Sequence, residues 1–281
     1  ILIQILSEGA CLIACPMSLL CATPPKQEPT LSVATVARHV LTDVVAATVA
    51  AAAAAPFVAS VDRAIAESAS GKAPLWKSFS HSLRTLGLTP LTFIRQPAFF
   101  YLWMCGTGTY GIANLTTTFE DLKGEQMPVA KAATIFGVNT SLMLWKDSAF
   151  AKLFGTKPPE AVPYPALGAW FARDFISMAV IFVAPPIVAK KVSESTGMPV
   201  RKAEVATQLT MPMMLQPFVA PFHLYGYVKY NSPQASWSEQ MQVMRREIWG
   251  TVVMRCIRCV APYCVGAVAN RSLRRTLKEL A

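Results

Sequence analysis

The chain has 281 residues, of which 53% are hydrophobic and 15% charged, and its formal net charge is +10. Soluble globular domains carry about 25% charged residues, so the sparse charge argues against a fully soluble protein. The basic residues recur at the ends of apolar segments, as in Lys190-Lys191 and Arg274-Arg275, and form no continuous basic face. This distribution argues against nucleic-acid binding and favours a protein whose partners include membrane lipids.

Residues 1–30 form an apolar arm that precedes the regular part of the sequence. The arm lacks the basic start of a secretory signal. Because it lies outside the helices described next, we expect it to contact a partner protein. Its three cysteines, Cys11, Cys15 and Cys21, lie in apolar context and indicate no disulfide framework.

Long apolar segments follow in three pairs. A bilayer core about 30 Å thick requires roughly 20 apolar residues per helix. The helices of the first pair are predicted over 31–65 and from 97 onward. Those of the second pair are predicted over 129–154 and 168–191, and those of the third over 201–230 and 248–273. The sequence therefore predicts an all-α membrane protein with six transmembrane helices in three tandem repeats, with bounds 31–125, 126–200 and 201–281.

Short amphipathic helices are predicted between the members of a pair. The segment 75–87 places Leu75, Phe79 and Leu83 on one side, with basic residues on the others. That period is typical of a helix lying at a membrane interface. A polar piece at 238–247 occupies the corresponding place before the last helix.

Polar residues recur in register near the ends of the first helices of the pairs. The segments SVDRAIA (60–66), WKDSAFA (145–151) and PFHLYGY (221–227) align on Asp62, Asp147 and His223. The second helices carry arginines inside their apolar runs, namely Arg95, Arg173, and Arg255 or Arg258. We expect these arginines to line a cavity or to pair between helices.

This arrangement of three helix pairs, over residues 31–281, resembles the mitochondrial carrier family. Its members carry the motif P-x-[DE]-x-x-[KR] near the end of each odd helix, and the resemblance implies a pseudo-threefold ring of salt bridges that closes the matrix side. It also implies the mitochondrial inner membrane and bound phospholipid such as cardiolipin. The motif is incomplete in this chain, because its three basic places hold Ile65, Phe150 and Gly226.

Asp62 and Asp147 therefore need other partners. An unpaired charge at membrane depth costs roughly 2.5–3.5 kcal/mol. The adjacent Arg63 and Lys146 do not face them on the same helix, so pairing with an arginine of another helix is favoured. Two interpretations of Lys146-Asp147 remain open: a relic of the ring that now links helices, or a solvated helix end. For His223, a neutral hydrogen-bonded role and a proton-relay role both remain open.

The incomplete ring leads to two hypotheses. The first is a non-transporting structural or accessory subunit of a respiratory-chain or ATP synthase assembly, because the bundle would lack ion pairs to make and break. The alternative is a solute transporter that holds an anion between its arginines. No catalytic motif, metal site or cofactor is predicted, so an enzyme is not expected.

Overall fold

The computed structural model describes residues 33–280, and the apolar arm 1–30 lies outside the described residues. The described part is helical. In chain order the helices are α1 (Val33–Ala69), α2 (Leu75–Leu88), α3 (Pro90–Ile94), α4 (Pro97–Lys123), α5 (Pro128–Phe154), α6 (Tyr164–Thr196), α7 (Val200–Met214), α8 (Gln216–Asn231) and α9 (Trp237–Val260). A π-helical turn (Ala261–Gly266) joins α9 to α10 (Ala267–Leu280). The predicted all-α class is thus confirmed.

Helix ends follow from residues that start or stop a helix. Pro97 and Pro128 occupy the first positions of α4 and α5, where a missing N–H removes no helical hydrogen bond. Gly124 and Gly197 end α4 and α6 in the left-handed conformation, with φ of 68° and 67°. At the start of α9, Ser236 and its partner Glu239 form a capping box.

Small residues let α1 and α4 approach closely. The buried face of α1 is mostly alanine, including Ala47, Ala50 and Ala51. A Cβ placed on Gly106 of α4 would lie 2.9 Å from the Cβ of Ala51. Close backbone approach of this kind is typical of helix packing in membranes, where van der Waals contact is the main attraction.

The helices pack in an order that returns to its start. α1 contacts α4, α4 contacts α5, α5 contacts α6, and α6 contacts both α7 and α8. α8 then contacts α9, while α9 and α10 pack against α1. Helices from the beginning and the end of the described chain therefore pack against each other.

Two helical stretches of the described chain are long and apolar enough to cross a membrane. They are Val33–Ala69 and Trp237–Glu279, the latter joining α9, the π-helical turn and most of α10. Six crossings are not established by this criterion. The three repeats with bounds 31–125, 126–200 and 201–281 stay predictions.

The third pair differs from its prediction in two places. The helix predicted over 201–230 divides at Leu215, because Pro217 lies in the first turn of α8. The polar piece 238–247 is no separate helix but the first part of α9. The capping box starts α9 early, and no proline follows before Pro262, where the π-helical turn lies.

Candidate functional site

A group of charged and aromatic side chains, all buried except the partly exposed Arg258, lies where five helices meet, and we name it the Asp62 cluster. It comprises Asp62 from α1, Lys146 and Asp147 from α5, Arg173 and Asp174 from α6, Gln216, His223 and Tyr227 from α8, and Arg255 and Arg258 from α9.

Asp62 is the point where α1, α5 and α9 are joined. Its carboxylate is fully buried. Lys146 Nζ donates to Asp62 Oδ2 at 2.8 Å, and Arg258 Nε donates to Asp62 Oδ1 at 2.6 Å. Both oxygens of this carboxylate therefore have a cationic partner from another helix.

Asp147 joins α5, α6 and α8. Arg173 Nη1 donates to its Oδ2 at 2.6 Å, and the Tyr227 hydroxyl donates to its Oδ1 at 3.1 Å. Lys146 also contacts Asp147, so one ammonium group is shared by two carboxylates on different helices. Arg173 also donates two hydrogen bonds to the carboxylate of Asp174, from Nε and Nη2, at 2.8 Å each.

Arg255 has a different environment. Its Nε donates to Gln216 Oε1 at 2.8 Å, and its Nη1 contacts Nδ1 of His223. The other ring nitrogen, His223 Nε2, lies 3.5 Å from Asp147 Oδ1 and makes no hydrogen bond within the described chain. Both side chains are buried.

The expectation that the bundle lacks ion pairs to make and break is wrong. It followed from the three motif places of Ile65, Phe150 and Gly226. Ile65 and Phe150 are fully buried, and a Cβ on Gly226 would meet Trp170 Nε1 at 2.1 Å, so these places have no room for a basic side chain. The cations come instead from elsewhere on α5, α6 and α9, and the solvated-end interpretation of Lys146-Asp147 is also wrong, because both are buried.

Two of the predicted residues lie outside the Asp62 cluster. Arg63 pairs with Glu67 at 2.9 Å and donates to Gln96 Oε1 at 3.2 Å. Arg95 is exposed in the break between α3 and α4 and does not join the Asp62 cluster, so its predicted role stays a prediction. Arg173, in contrast, lies inside the continuous helix α6 and reaches Asp147.

A second polar group, the Asp43 cluster, joins α1, α4 and α10; it is buried except for the partly exposed Arg274, and it was not predicted. It comprises Asp43, Asn114, Thr118, Asn270 and Arg274. Arg274 Nε donates to Asp43 Oδ1 at 2.6 Å, and the Thr118 hydroxyl donates to Asp43 Oδ2. Asn114 and Asn270 exchange hydrogen bonds of 2.9 Å in both directions. A signal was present in the sequence, since Asp43 is the only carboxylate between residues 31 and 61.

The two clusters lie near opposite ends of one helix. Asp43 and Asp62 are 19 positions apart on α1. At 1.5 Å per residue this spacing is about 28 Å, close to the thickness of a bilayer core of about 30 Å. The bundle therefore contains polar clusters at two levels along α1 that are nearly one membrane thickness apart.

Comparison with known proteins identifies the family. Residues 46–278, which include nearly all of both clusters, match the family described as "Probable citrulline exporter". No curated protein and no solved structure matches the chain. The match overturns the resemblance to mitochondrial carriers, which rested on a polar register whose basic members were missing, and it gives no support to an accessory-subunit role. The chain belongs to the probable citrulline exporter family.

Proposed function

We propose that this membrane protein exports citrulline by opening the Asp62 cluster and the Asp43 cluster in alternation. The family description supports a transport role and names the solute. Alternating access requires two conformations of comparable free energy, each closed by its own contacts. The two clusters are suitable sets of closing contacts because each joins helices from distant parts of the chain.

The proposal includes six membrane crossings. They would be α1, α4, α5, α6, the pair α7–α8, and the pair α9–α10. Contacts at the helix ends support this up-and-down course. Ser70, just after α1, donates to the carbonyl of Phe154 at 2.9 Å, and the N–H of Thr156, just after α5, donates to Asn231 Oδ1 at 3.1 Å. The C-terminal ends of α1, α5 and α8 therefore meet on the Asp62 side.

The ion pairs of the Asp62 cluster have the energetics that a reversible closure needs. A buried salt bridge gains Coulomb energy but loses the hydration of both ions, so its net contribution to stability is small. Water or substrate that enters the cluster would replace the lost contacts. Lys146 already contacts both Asp62 and Asp147, which offers a route for exchanging partners as the helices move.

The observation that carries the proposal is the Asp62 cluster, in which five helices share one network of buried charges. The test is uptake of radiolabelled L-citrulline by liposomes that contain the purified chain and are preloaded with unlabelled L-citrulline. We expect saturable exchange, and we expect Asp62→Asn to abolish most of it. Arg275→Gln is the matched control, because Arg275 is exposed and pairs only with Glu279 in the described chain. Absence of saturable exchange from the wild-type chain would contradict the proposal.

The family description does not name a membrane. The mitochondrial inner membrane was implied only by the overturned carrier resemblance, and the family match does not support it. Bound phospholipid such as cardiolipin and contact of the arm 1–30 with a partner protein remain predictions. Reconstitution with and without cardiolipin checks the lipid prediction, since a specific requirement would appear as a higher exchange rate at equal total anionic charge.

A further inference from the structure

The charges of the Asp62 cluster do not balance. Its cations are Lys146, Arg173, Arg255 and Arg258, and its carboxylates are Asp62, Asp147 and Asp174. Three of the cations contact a carboxylate. Within the described chain, the side chain of Arg255 forms no ion pair with a carboxylate, and its hydrogen bonds go to the neutral amide of Gln216 and the ring of His223.

A buried guanidinium without an anion is costly, because it has lost its hydration and gained no opposite charge. The side chain of Arg255 is buried, so bulk water does not replace the missing anion. Gln216 holds Nε and thereby fixes the plane of the guanidinium. An arginine fixed in this way presents its terminal nitrogens in the forked geometry that matches a carboxylate.

His223 supplies a second observation that points to a ligand. Arginine can only donate hydrogen bonds, so His223 Nδ1, which faces Arg255, must be an acceptor. The ring proton of the neutral imidazole then lies on Nε2. This buried N–H makes no hydrogen bond within the described chain, although Asp147 Oδ1 is 3.5 Å away. An unfilled donor therefore lies on the same imidazole ring that contacts the unpaired cation.

We propose that Arg255 and His223 bind the α-carboxylate of the transported amino acid, a site that rests on the proposed export of citrulline. The bound carboxylate supplies the negative charge that the Asp62 cluster lacks. Ligand entry would also loosen the contact between Arg255 and His223, which couples binding to the network that closes the bundle. The site predicts selection of solutes that carry a free carboxylate.

The test measures ligand binding as the thermal stabilisation of the purified full chain in detergent, separately from transport. The ligands are L-citrulline, L-citrulline amide, in which a neutral amide replaces the carboxylate, and acetate as a small carboxylate probe. For the wild-type chain we expect L-citrulline to bind about tenfold to a hundredfold more tightly than its amide, the range that a charge-assisted hydrogen-bond pair provides.

Variants assign the preference to the site. Arg255→Gln should weaken L-citrulline to the level of the amide and leave the amide itself unchanged. Arg255→Lys, which keeps the charge but not the fork, should keep part of the preference. The exposed control Arg275→Gln should match the wild-type chain. Arg255→Gln should also lose any stabilisation by acetate.

The outcomes separate this inference from the proposed function. If the wild-type chain exchanges citrulline but binds citrulline and the amide equally, the carboxylate site is wrong and export stands. That comparison needs no variant to fold. A second result is also informative: the wild-type chain does not exchange citrulline, but acetate stabilises the wild-type chain and fails to stabilise the Arg255→Gln variant. In that case the carboxylate site stands and the proposed solute is wrong. If neither citrulline nor acetate stabilises the wild-type chain, the inference is overturned.

Discussion

Replacing Asp62 by asparagine is expected to destabilise the chain, because Arg258 would then lack a carboxylate partner. Asn keeps the shape of Asp but removes the negative charge. Lys146 would retain Asp147, whereas Arg258 would lose its one carboxylate contact in the described chain. Breaking a buried pair costs about 3–5 kcal/mol. Since the side chain of Arg258 is 20% exposed, we expect the lower end, about 3 kcal/mol.

This free energy corresponds to a measurable change in thermal midpoint. For a chain of this size each kcal/mol shifts the midpoint by about 2 °C, so Asp62→Asn should lower it by about 6 °C. The assay is thermal unfolding of the purified protein in one detergent at one protein concentration. Arg258→Gln is measured in parallel, together with the double variant.

A double-mutant cycle tests whether the ion pair is the cause. The double variant Asp62→Asn with Arg258→Gln has no stranded charge at this contact. It should therefore be less destabilised than the sum of the single variants, by about 2 kcal/mol or about 4 °C. Asp43→Asn combined with Asp62→Asn is the control, because residues about 28 Å apart on α1 should show additive effects. Additivity of the Asp62 and Arg258 substitutions would refute the reasoning.

Two further predictions concern close helix contacts at glycines. Gly226→Ala should destabilise the chain, because the new Cβ would lie 2.1 Å from Nε1 of the buried Trp170. Gly168→Ala is the control: a Cβ at Gly168 would have no neighbouring atom within 4 Å, so this variant should be neutral or stabilising in the same thermal assay. Gly266→Ala should cost about 1–3 kcal/mol, because its Cβ would lie 2.1 Å from the Tyr110 hydroxyl oxygen. Tyr110→Phe removes that oxygen together with its 2.8 Å hydrogen bond to the Pro262 carbonyl. Gly266→Ala should therefore cost less in the Tyr110→Phe background than in the wild-type chain, and an equal cost in both backgrounds would argue against this contact as the cause.

Much of the helical pattern could be predicted from the sequence. Apolar length and proline or glycine boundaries place α1, α2, α5 and α6 within a few residues of their predicted ranges. The division at Leu215 and the long α9 were missed, because each depends on a local start signal: Pro217 in one case and the Ser236 capping box in the other. In both regions the long apolar pattern is the stronger feature of the sequence, so the helix boundaries were assigned from it and not from the local start signal.

The candidate site was predictable in its members more than in its pairings. Asp62, Asp147 and His223 are conspicuous as polar residues in apolar helices, and all three lie in the Asp62 cluster. The sequence left open whether Arg255 or Arg258 takes part, and both do, with different partners. The Asp43 cluster was missed because its members are single polar residues on three helices, with no repeated spacing to align them.

The account is tested most directly by measuring whether its two closures open in alternation. One pair of spin labels at Lys72 and Glu160 reports on the Asp62 side, and a second pair at Glu125 and Glu194 reports on the opposite end; all four residues are exposed. Labels on non-canonical amino acids leave the seven native cysteines in place. We predict that saturating L-citrulline in lipid nanodiscs changes the two pulsed-EPR distance distributions in opposite directions. Two distributions that stay fixed, or that widen together, would contradict alternating export through this bundle.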